Sequence, residues 1–265
     1  PAAACGVVGL KPTFGLLERD GALAHSLSLD HLGSFASDAE GALLLFEAMA
    51  GLPAARAVER PAAGELRLGL LEECFAADTG IDRAVAARSA ELVDRLAAHG
   101  AACRTVSLGA APSAWRAVME VIGGYESLRR NRPLLSLPHA ELSPAIRTWL
   151  AGAAEITPEH YRRALARREA LSARLLRAFD DVDLLLSPTA IHPVPPNDDE
   201  DARRRYSTDS ALAIFNLSGH PAMSIPIGRD EAGLPVGLQV TARRGDERRL
   251  AAAAELMMNF PEAVR

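Results

Sequence analysis

The sequence predicts an α/β fold in which a mixed, twisted β-sheet is covered by helices on both faces. Short apolar runs that are typical of buried strands alternate with longer segments whose apolar residues recur at helical spacing. This strand–helix–strand order is typical of a sheet covered by helices. Apolar residues make up 49% of the 265 residues and charged residues 24%, which excludes a disordered or collagen-like chain.

Three strands are predicted in the first half of the chain, over 5–10, 66–70 and 101–106. Each is an apolar run bounded by turn residues. The predicted helices begin at a capping residue and end at glycine; they cover 37–50 and 82–99. Ser37 and Glu40 have the spacing of a capping box, and Asp82 is expected to cap the second helix. The order of these elements indicates an α/β sheet covered by helices.

The second half is predicted to be helical first and strand-rich afterwards. Its helices are expected over 114–130, 144–153, 157–179, 210–217 and 246–258. Its strands are expected over 182–187, 222–227 and 236–241. Thr157 and Pro158 have the residue types of an N-cap and a first helical position. Proline and charge in Pro193–Arg205 predict an exposed loop.

Charge and cysteine content exclude several classes of protein. The formal net charge of −5 provides no electrostatic attraction to nucleic acid or to an anionic membrane. The sequence contains no run of about 18 uncharged apolar residues, so it predicts no membrane span. The three cysteines, Cys5, Cys74 and Cys103, have no metal-ligand spacing, so we expect them to be reduced and buried in a cytoplasmic protein.

Residue types alone do not identify a catalytic centre. The chain has no HExxH motif, no glycine-rich nucleotide loop and no G-x-S-x-G elbow. We therefore predict neither a metal site nor a cofactor. Lys11 is the single lysine, so a catalytic lysine has only one candidate in this sequence.

Two long stretches resemble the amidase signature family. The first runs over 1–15, PAAACGVVGLKPTFG, and continues over 28–33 as SLDHLG. The second comprises VDLLLSPT over 182–189, NLSGHPAMSIP over 216–226 and GLPVGLQV over 233–240. The stretches follow the family order and flank a divergent, mostly helical middle over 56–177. The resemblance implies that residues 1–265 are the C-terminal part of a single amidase signature domain, with a partial amidase signature fold.

The resemblance implies hydrolysis of a carboxamide C–N bond through an acyl-serine intermediate. The family uses a serine nucleophile, a second serine on a cis peptide bond, and a lysine that takes and returns the proton; it needs no metal or cofactor. All three residues are expected upstream of Pro1, so the chain contains no catalytic residue of this type and is expected to be inactive alone. Lys11 matches a different family position and is interpreted as a partly buried lysine that bonds to nearby carbonyls.

The resemblance also implies which residues recognise the substrate. Tyr206–Asp209 is similar to a Tyr-x-x-Asp segment of members that bind an amino-acid amide, where the aspartate holds an ammonium group; the alternative role for Asp209 is an N-cap. Arg147 could bind a substrate carboxylate, or it could be one of many surface arginines. Three residues that follow the strand are expected to line the acyl pocket: Thr189, Ala190 and Ile191.

Several interpretations of function remain open at this stage. The first is a cytoplasmic amidase acting on a small-molecule amide, with no nucleic-acid or membrane partner and with a homodimer as one allowed state. The second is the amidase subunit of a tRNA-dependent amidotransferase. The third is a non-catalytic scaffold or partner-binding remnant, whose exposed apolar surface another chain would have to cover. The sequence does not distinguish among amide, carbamoyl and peptide-amide substrates.

Overall fold

The computed structural model describes residues 1–53, 60–138 and 141–260. In this part of the chain, a mixed sheet has the strand order β2-β1-β6-β7-β5-β3-β4. Its strands are β1 (Val8–Lys11), β2 (Ser34–Ala36), β3 (Arg67–Leu71), β4 (Ala102–Val106), β5 (Leu184–Pro188), β6 (Ala222–Arg229) and β7 (Pro235–Thr241). The predicted mixed α/β architecture is confirmed.

The helices connect these strands and cover both faces of the sheet. They are α1 (Ala2–Cys5), α2 (Ala39–Met49), α3 (Glu72–Phe75), α4 (Arg83–Ala98), α5 (Pro112–Asn131), α6 (Pro144–Ala153), α7 (Pro158–Ala178), α8 (Glu200–Thr208), α9 (Leu212–Ser218) and α10 (Glu247–Met258). Short 3-10 turns lie at 63–65, 77–79 and 132–136.

The sheet has a parallel part and an antiparallel part that meet at β5. Strand β3 pairs in parallel with both β4 and β5. All other neighbours are antiparallel, including β5 with β7 and β1 with β6. The β1–β6 register aligns Gly9 with Ser224, so residues near the two ends of the sequence lie side by side. The parallel part of the sheet is therefore confined to β3, β4 and β5.

Two hydrophobic cores lie on opposite faces of the sheet. The first core packs α2, α4 and α10 against alternate strand residues such as Leu184 and Leu186. The second core packs α5, α7 and α9 against the other face, where Leu185 points. Because side chains of a strand alternate between faces, a strand that is apolar at every position indicates burial on both sides.

Helix starts follow the predicted capping chemistry in two of three places. The Asp82 carboxylate accepts from the N–H groups of Ala84 and Val85, and the Thr157 hydroxyl accepts from His160 N–H, as predicted. The predicted capping box at Ser37 and Glu40 is wrong. Asp38 is the N-cap of α2 and accepts from Gly41 N–H, while the Ser37 hydroxyl donates to the Asp38 carboxylate.

Two predicted segments, one near the start of the chain and one in its second half, need correction. The run Cys5–Leu10 is not one strand, because Gly6 adopts φ +66° and ends α1 before β1 begins. Cys5 is exposed, contrary to prediction, whereas Cys74 is buried and Cys103 half-buried. The predicted loop at 193–205 contains most of α8. The Asp199 cap and the acids of its first turn favour that helix despite its lack of apolar residues.

The divergent middle predicted for 56–177 contributes to both cores. Its first residues lie outside the described part of the chain, as do two at 139–140. The described remainder contains β3 and β4 as well as the long helices α4, α5 and α7. This region therefore contributes the edge strands β3 and β4 of the parallel part of the sheet and about half of the second core.

Candidate functional site

The candidate site lies over polar residues on the second face of the sheet. In the antiparallel part, the residues that point away from the first core are small or polar: Gly9, Lys11, Ser187, Ser224, Gly237 and Gln239. The other face of the same strands is filled with apolar side chains such as leucine and valine. Packing does not require polar residues at these positions, because burial of apolar side chains is energetically more favourable. Four residues of this row, Gly9, Lys11, Ser224 and Gln239, form the floor of a cavity.

We call this cavity, of about 290 Å³, the sheet cavity. Its walls come from α1, β1, the residues before β2, the end of β5, and α9. Two hydrogen bonds fix the polar groups of its floor, and Ser187, which lies beneath the floor, takes part in one of them. The Thr189 and Ser224 hydroxyls lie 2.9 Å apart, and the Gln239 amide donates to the Ser187 hydroxyl at 3.2 Å. These bonds hold the floor in one arrangement while leaving acceptor positions open toward the cavity.

Two glycines allow α1 to lie directly on the sheet beside this cavity. A Cβ added at Gly9 would lie 2.7 Å from the Ala2 Cβ, and one added at Gly237 would lie 2.6 Å from the Ala3 Cβ. These distances are shorter than any ordinary carbon–carbon contact. The two glycines therefore set the position of α1, whose N-cap Pro1 and first residue Ala2 line the cavity.

Lys11 is a partly buried lysine whose ammonium group bonds to the backbone, as interpreted from the sequence. It donates to the Pro12 carbonyl at 3.2 Å and to the His220 carbonyl at 2.6 Å. Burial lowers the pKa of Lys11 to about 7; the negative charge of Glu247 opposes this shift, and the positive charge of Arg244 adds to it. Lys11 thereby joins β1 to the turn that precedes β6.

His31 is a neutral wall of the sheet cavity. Its Nδ1 lies 2.6 Å from the Leu29 carbonyl and donates to it, so Nε2 is the acceptor nitrogen of the ring. Burial, and to a lesser extent the charge of Lys11, lower the pKa of His31 to about 4. In this part of the structure His31 Nε2 is buried and has no protein hydrogen-bond partner. It can therefore accept a hydrogen bond from a ligand or a water molecule.

The segment that carries His31 is fixed to the second core by Glu126 of α5. This carboxylate accepts from the Ser26 hydroxyl at 2.7 Å, from Ser28 N–H at 2.9 Å and its hydroxyl at 2.8 Å, and from the Tyr161 hydroxyl at 2.7 Å. Burial alone would raise the pKa of Glu126, but these hydrogen bonds outweigh it and hold the pKa below the usual value.

We expect Glu126→Gln to lower the free energy of unfolding by about 1–3 kcal/mol at neutral pH, because an amide cannot accept all four hydrogen bonds. A carboxylate with a lowered folded pKa stabilises the protein above its unfolded pKa and loses that contribution as pH falls through the folded value. The difference between variant and wild type should therefore shrink on acidification. Urea denaturation from neutral pH down through the carboxyl range measures it.

Glu120→Gln provides the control, since Glu120 lies on the same helix with its side chain half exposed. Its effect should stay within about 0.5 kcal/mol. A difference between Glu126→Gln and wild type that grows on acidification would contradict the assignment of a lowered pKa.

The predicted acyl-pocket residues face three different cavities. Thr189 lies on the floor of the sheet cavity. Ala190 borders a narrow cavity of about 10 Å³ beside His192 and Tyr206. Ile191 faces a third cavity, of about 500 Å³. The acyl-pocket role of all three stays a prediction, and Thr189 has the position that suits it best.

We call the third cavity the acidic cavity. It lies between the segment after β3, the start of α5, the end of β5 and the junction of α8 with α9. Four acidic residues and one basic residue are among those that line it: Glu72, Glu73, Asp78, Asp209 and Arg116.

Asp209 lies at this cavity and does not cap α9. The N-cap of α9 is Ala211, so the alternative interpretation of Asp209 as an N-cap is wrong. Its Oδ2 lies 3.1 Å from His192 Nε2, and its Oδ1 accepts from the Thr208 hydroxyl at 3.0 Å. Burial would raise the pKa of Asp209, but the hydrogen bonds from His192 and Thr208 and the nearby positive charges hold it below the usual value. Asp209 is therefore a carboxylate at neutral pH.

Arg147 has a position that favours a structural role. Its guanidinium donates to the carbonyls of Leu135, Leu137 and Pro138 at 3.2, 2.9 and 3.3 Å. These bonds join α6 to the 3-10 turn before it. Binding of a substrate carboxylate by Arg147 stays a prediction, and it would have to compete with these carbonyls.

Sequence reasoning missed several residues of both cavities. Ser224 and Gln239 could have been found, because they interrupt apolar strands at alternate positions. His192 and Arg116 could not, because only the tertiary structure brings them to Asp209.

The described residues contain neither a membrane-spanning helix nor a metal-binding cluster. None of the described helices combines the length and the apolar character needed to cross a bilayer. No group of three or more histidine, cysteine, aspartate or glutamate side chains in the same part of the chain could hold a metal ion.

Comparison with known proteins relates this geometry to one family. Residues 1–251 match the Amidase family. The chain is 34% identical to a glutamyl-tRNA(Gln) amidotransferase subunit of Thermus thermophilus, over 99% of this chain and 61% of that protein. A crystal structure of an amidase superimposes with a TM-score of 0.84 at 30% identity, covering 96% of this chain and 58% of the other.

A second solved structure agrees with the first. The corresponding glutamyl-tRNA(Gln) amidotransferase subunit of Thermotoga maritima superimposes with a TM-score of 0.80 at 26% identity, covering 98% of this chain and 60% of that one. The chain thus spans about three fifths of the length of the relatives it matches.

Proposed function

This chain belongs to the Amidase family, and from that premise we propose that it is part of a cytoplasmic enzyme that hydrolyses a carboxamide C–N bond. The observation that carries the proposal is the polar floor of the sheet cavity, which lies beside the first residues of α1. Hydroxyl and amide groups in a partly enclosed cavity suit the binding of a polar acyl group, because each can donate or accept a hydrogen bond.

In the proposed reaction, a serine supplied by residues that precede Pro1 attacks the amide carbon and forms an acyl-serine. The C–N bond breaks, the leaving amine takes a proton, and water then hydrolyses the ester to release the carboxylic acid. The residues of this chain bind and orient the substrate. Thr189 lies on the floor next to the acyl group, and Asp209 holds an ammonium group of the substrate. No metal or cofactor enters these steps.

A second candidate is the amidase subunit of a tRNA-dependent amidotransferase. The specific observation in its favour is that relatives named as a glutamyl-tRNA(Gln) amidotransferase subunit are 31–34% identical over nearly the whole chain. In this proposal the amide substrate is glutamine, and its α-ammonium group binds Asp209. A homodimer and an assembly with other subunits are the corresponding proposals for the quaternary structure.

The test compares the longest natural polypeptide that contains this sequence with the 265-residue chain. We expect the longer polypeptide to release ammonia from a panel of aliphatic, aryl and amino-acid amides, and the shorter chain to release none. Coupled glutamate dehydrogenase detects the ammonia, and the native mass identifies the longer chain. A strong preference for glutamine would favour the amidotransferase interpretation over a general amidase.

Hydrolysis by the 265-residue chain would refute the proposed upstream nucleophile. A longer polypeptide that folds yet hydrolyses no amide would refute the proposed activity and favour a scaffold.

A further inference from the structure

A further cavity, which we call the basic cavity, lies where β4 ends and the chain leaves the sheet. Its volume is about 550 Å³, and among the described residues it shares no wall with the sheet cavity or the acidic cavity. Its polar and glycine positions are Arg104, Ser107, Gly109, Arg174 and Arg177. The carboxyl ends of parallel strands are a common place for ligands in α/β proteins, and β4 is a parallel strand.

Three guanidiniums face the basic cavity from two elements. Arg104 belongs to β4, whereas Arg174 and Arg177 belong to the C-terminal end of α7. The two helical arginines are three positions apart, a spacing that puts side chains on the same face of a helix. None of the described residues that line this cavity is acidic. Because a guanidinium only donates hydrogen bonds, this set of side chains calls for a ligand that accepts them.

Two of the three guanidiniums are held in place by other parts of the chain. Arg104 Nη2 donates to Asp181 at 2.5 Å, and Arg174 Nη1 donates to the Gly109 carbonyl at 2.7 Å. Gly109 has φ +62°, and a Cβ at this position would lie 3.2 Å from the same Arg174 nitrogen, so glycine permits the close approach. Each bond uses one of the five N–H donors of a guanidinium, which leaves donors for a ligand.

Arg177 is the guanidinium that has no internal partner. It lies in the last turn of α7, and its side chain forms no hydrogen bond or ion pair with the described residues. The helix dipole favours a cation at this position, but the dipole explains neither Arg104 nor the bond from Arg174 to Gly109. An exposed guanidinium beside two fixed ones can close onto a bound anion.

Two carboxylates contact the walls of the basic cavity without lining it. Asp181 pairs with Arg104 and is 68% exposed, so water screens this pair. Glu73 accepts from the Ser107 hydroxyl and from Gly109 N–H, both at 2.7 Å, and lines the acidic cavity. Three guanidiniums therefore exceed the two carboxylates in contact with this region, and the excess positive charge favours an anionic ligand.

The number and directions of the donors favour a phosphate group over a carboxylate. An arginine binds either group through two parallel hydrogen bonds. A carboxylate has two oxygens in one plane, whereas the oxygens of a phosphate form a tetrahedron and can be reached from three directions. A phosphate monoester also carries nearly two negative charges at neutral pH. One guanidinium on a strand and two on a helix match the tetrahedral group better.

We propose that the basic cavity binds a phosphate dianion, as inorganic phosphate or as part of a small phosphomonoester, between Arg104, Arg174 and Arg177. Arg104 and Arg174 form the fixed part of the site, and Arg177 closes onto the bound group. The inference goes beyond the proposed amide hydrolysis and does not depend on it, because no lining residue is shared with the sheet cavity.

The experiment measures the binding of inorganic phosphate to the longest natural polypeptide by isothermal titration calorimetry. Low ionic strength and about pH 8 keep the phosphate a dianion and limit screening. We expect a single site per chain with a Kd of about 1 mM or lower. Acetate should bind at least about 10-fold more weakly, because it cannot engage all three guanidiniums. Phosphate should also raise the midpoint of thermal unfolding.

Arg177→Gln is the central variant, because this side chain has no described partner whose loss would disturb the fold. It should raise the Kd for phosphate about 10-fold or more, the range of a lost hydrogen bond to a charged group. Arg177→Lys keeps the charge with fewer donors and should lie between wild type and Arg177→Gln. Arg162→Gln is the matched control on the same helix; its side chain is 70% exposed, and its Kd should stay within about 2-fold of wild type.

Phenyl phosphate distinguishes the two sources of the dianion. Binding as tight as that of phosphate supports a phosphomonoester, and weaker binding supports the free anion. A Kd for phosphate that is the same in wild type and Arg177→Gln, or an absence of phosphate binding, would overturn the inference. Acetate that binds as tightly as phosphate would overturn the assigned ligand. An absence of phosphate binding with tight binding of single-stranded RNA, weakened equally by Arg162→Gln and Arg177→Gln, would replace the cavity with a nucleic-acid-binding face of α7.

Discussion

Phe215→Ala is expected to lower the free energy of unfolding by about 3–5 kcal/mol, the range found when a buried aromatic side chain is truncated. Phe215 of α9 is 1% exposed and belongs to the second core. It also lines the sheet cavity, so the space left by its ring would join a cavity that is already about 290 Å³. Neighbouring side chains cannot refill such a space by small movements. We therefore expect the full free-energy cost of creating a cavity.

Phe35→Ala is the matched control, because Phe35 lines the same cavity but is 55% exposed. Its expected effect is within about 0.5 kcal/mol. Urea denaturation followed by far-ultraviolet circular dichroism measures both variants of the same polypeptide. Equal losses at the two positions would show that the second core does not depend on Phe215 as the structure indicates.

Gly237→Ala is expected to cost about 1–3 kcal/mol, the range for overpacking in a closely packed region. The new Cβ would lie 2.6 Å from the Ala3 Cβ and 3.1 Å from the Ala3 Cα. A backbone atom cannot move aside as a flexible side chain can, so α1 must shift as a unit. Because Pro1 and Ala2 line the sheet cavity, the shift should also reduce amide hydrolysis by the longer polypeptide.

Gly152→Ala in α6 controls for the change in glycine content. A Cβ at Gly152 meets no atom within 4 Å, so the substitution should be neutral or stabilise the protein by up to about 1 kcal/mol. Thermal unfolding and ammonia release are the two measurements. A Gly237→Ala variant as stable as wild type would show that α1 is not held against β7 at this point.

Local pattern was sufficient to predict most of the elements. The runs at 182–187 and 236–241 were predicted as strands and form β5 and β7, because apolar density between turn residues reports burial directly. The three-residue strand β2 was missed because so short a segment has no period. The helix α8 was missed because its stability comes from an aspartate cap and helix-dipole charges, with none of the apolar spacing that usually predicts a helix.

The candidate site was less predictable for a physical reason. The resemblance implied Thr189 and Asp209, and the structure brings both to cavities. The partners that give these residues their chemical character lie elsewhere in the sequence. Ser224 contacts Thr189 across 35 residues, and His192 contacts Asp209 across 17. Such contacts depend on strand order and register, which hydropathy patterns do not specify.

The pairing of β1 with β6 has a consequence for the order of folding. The bond from Lys11 to the His220 carbonyl closes a loop of 209 residues, and contacts between such distant positions form late because the entropy of loop closure must be overcome first. The parallel strands β3, β4 and β5 and the helices between them can assemble from nearer neighbours. During synthesis from the N-terminus, the polar floor is therefore completed only after β7 has left the ribosome. A truncated nascent chain would hold a substantial core yet lack the binding cavity.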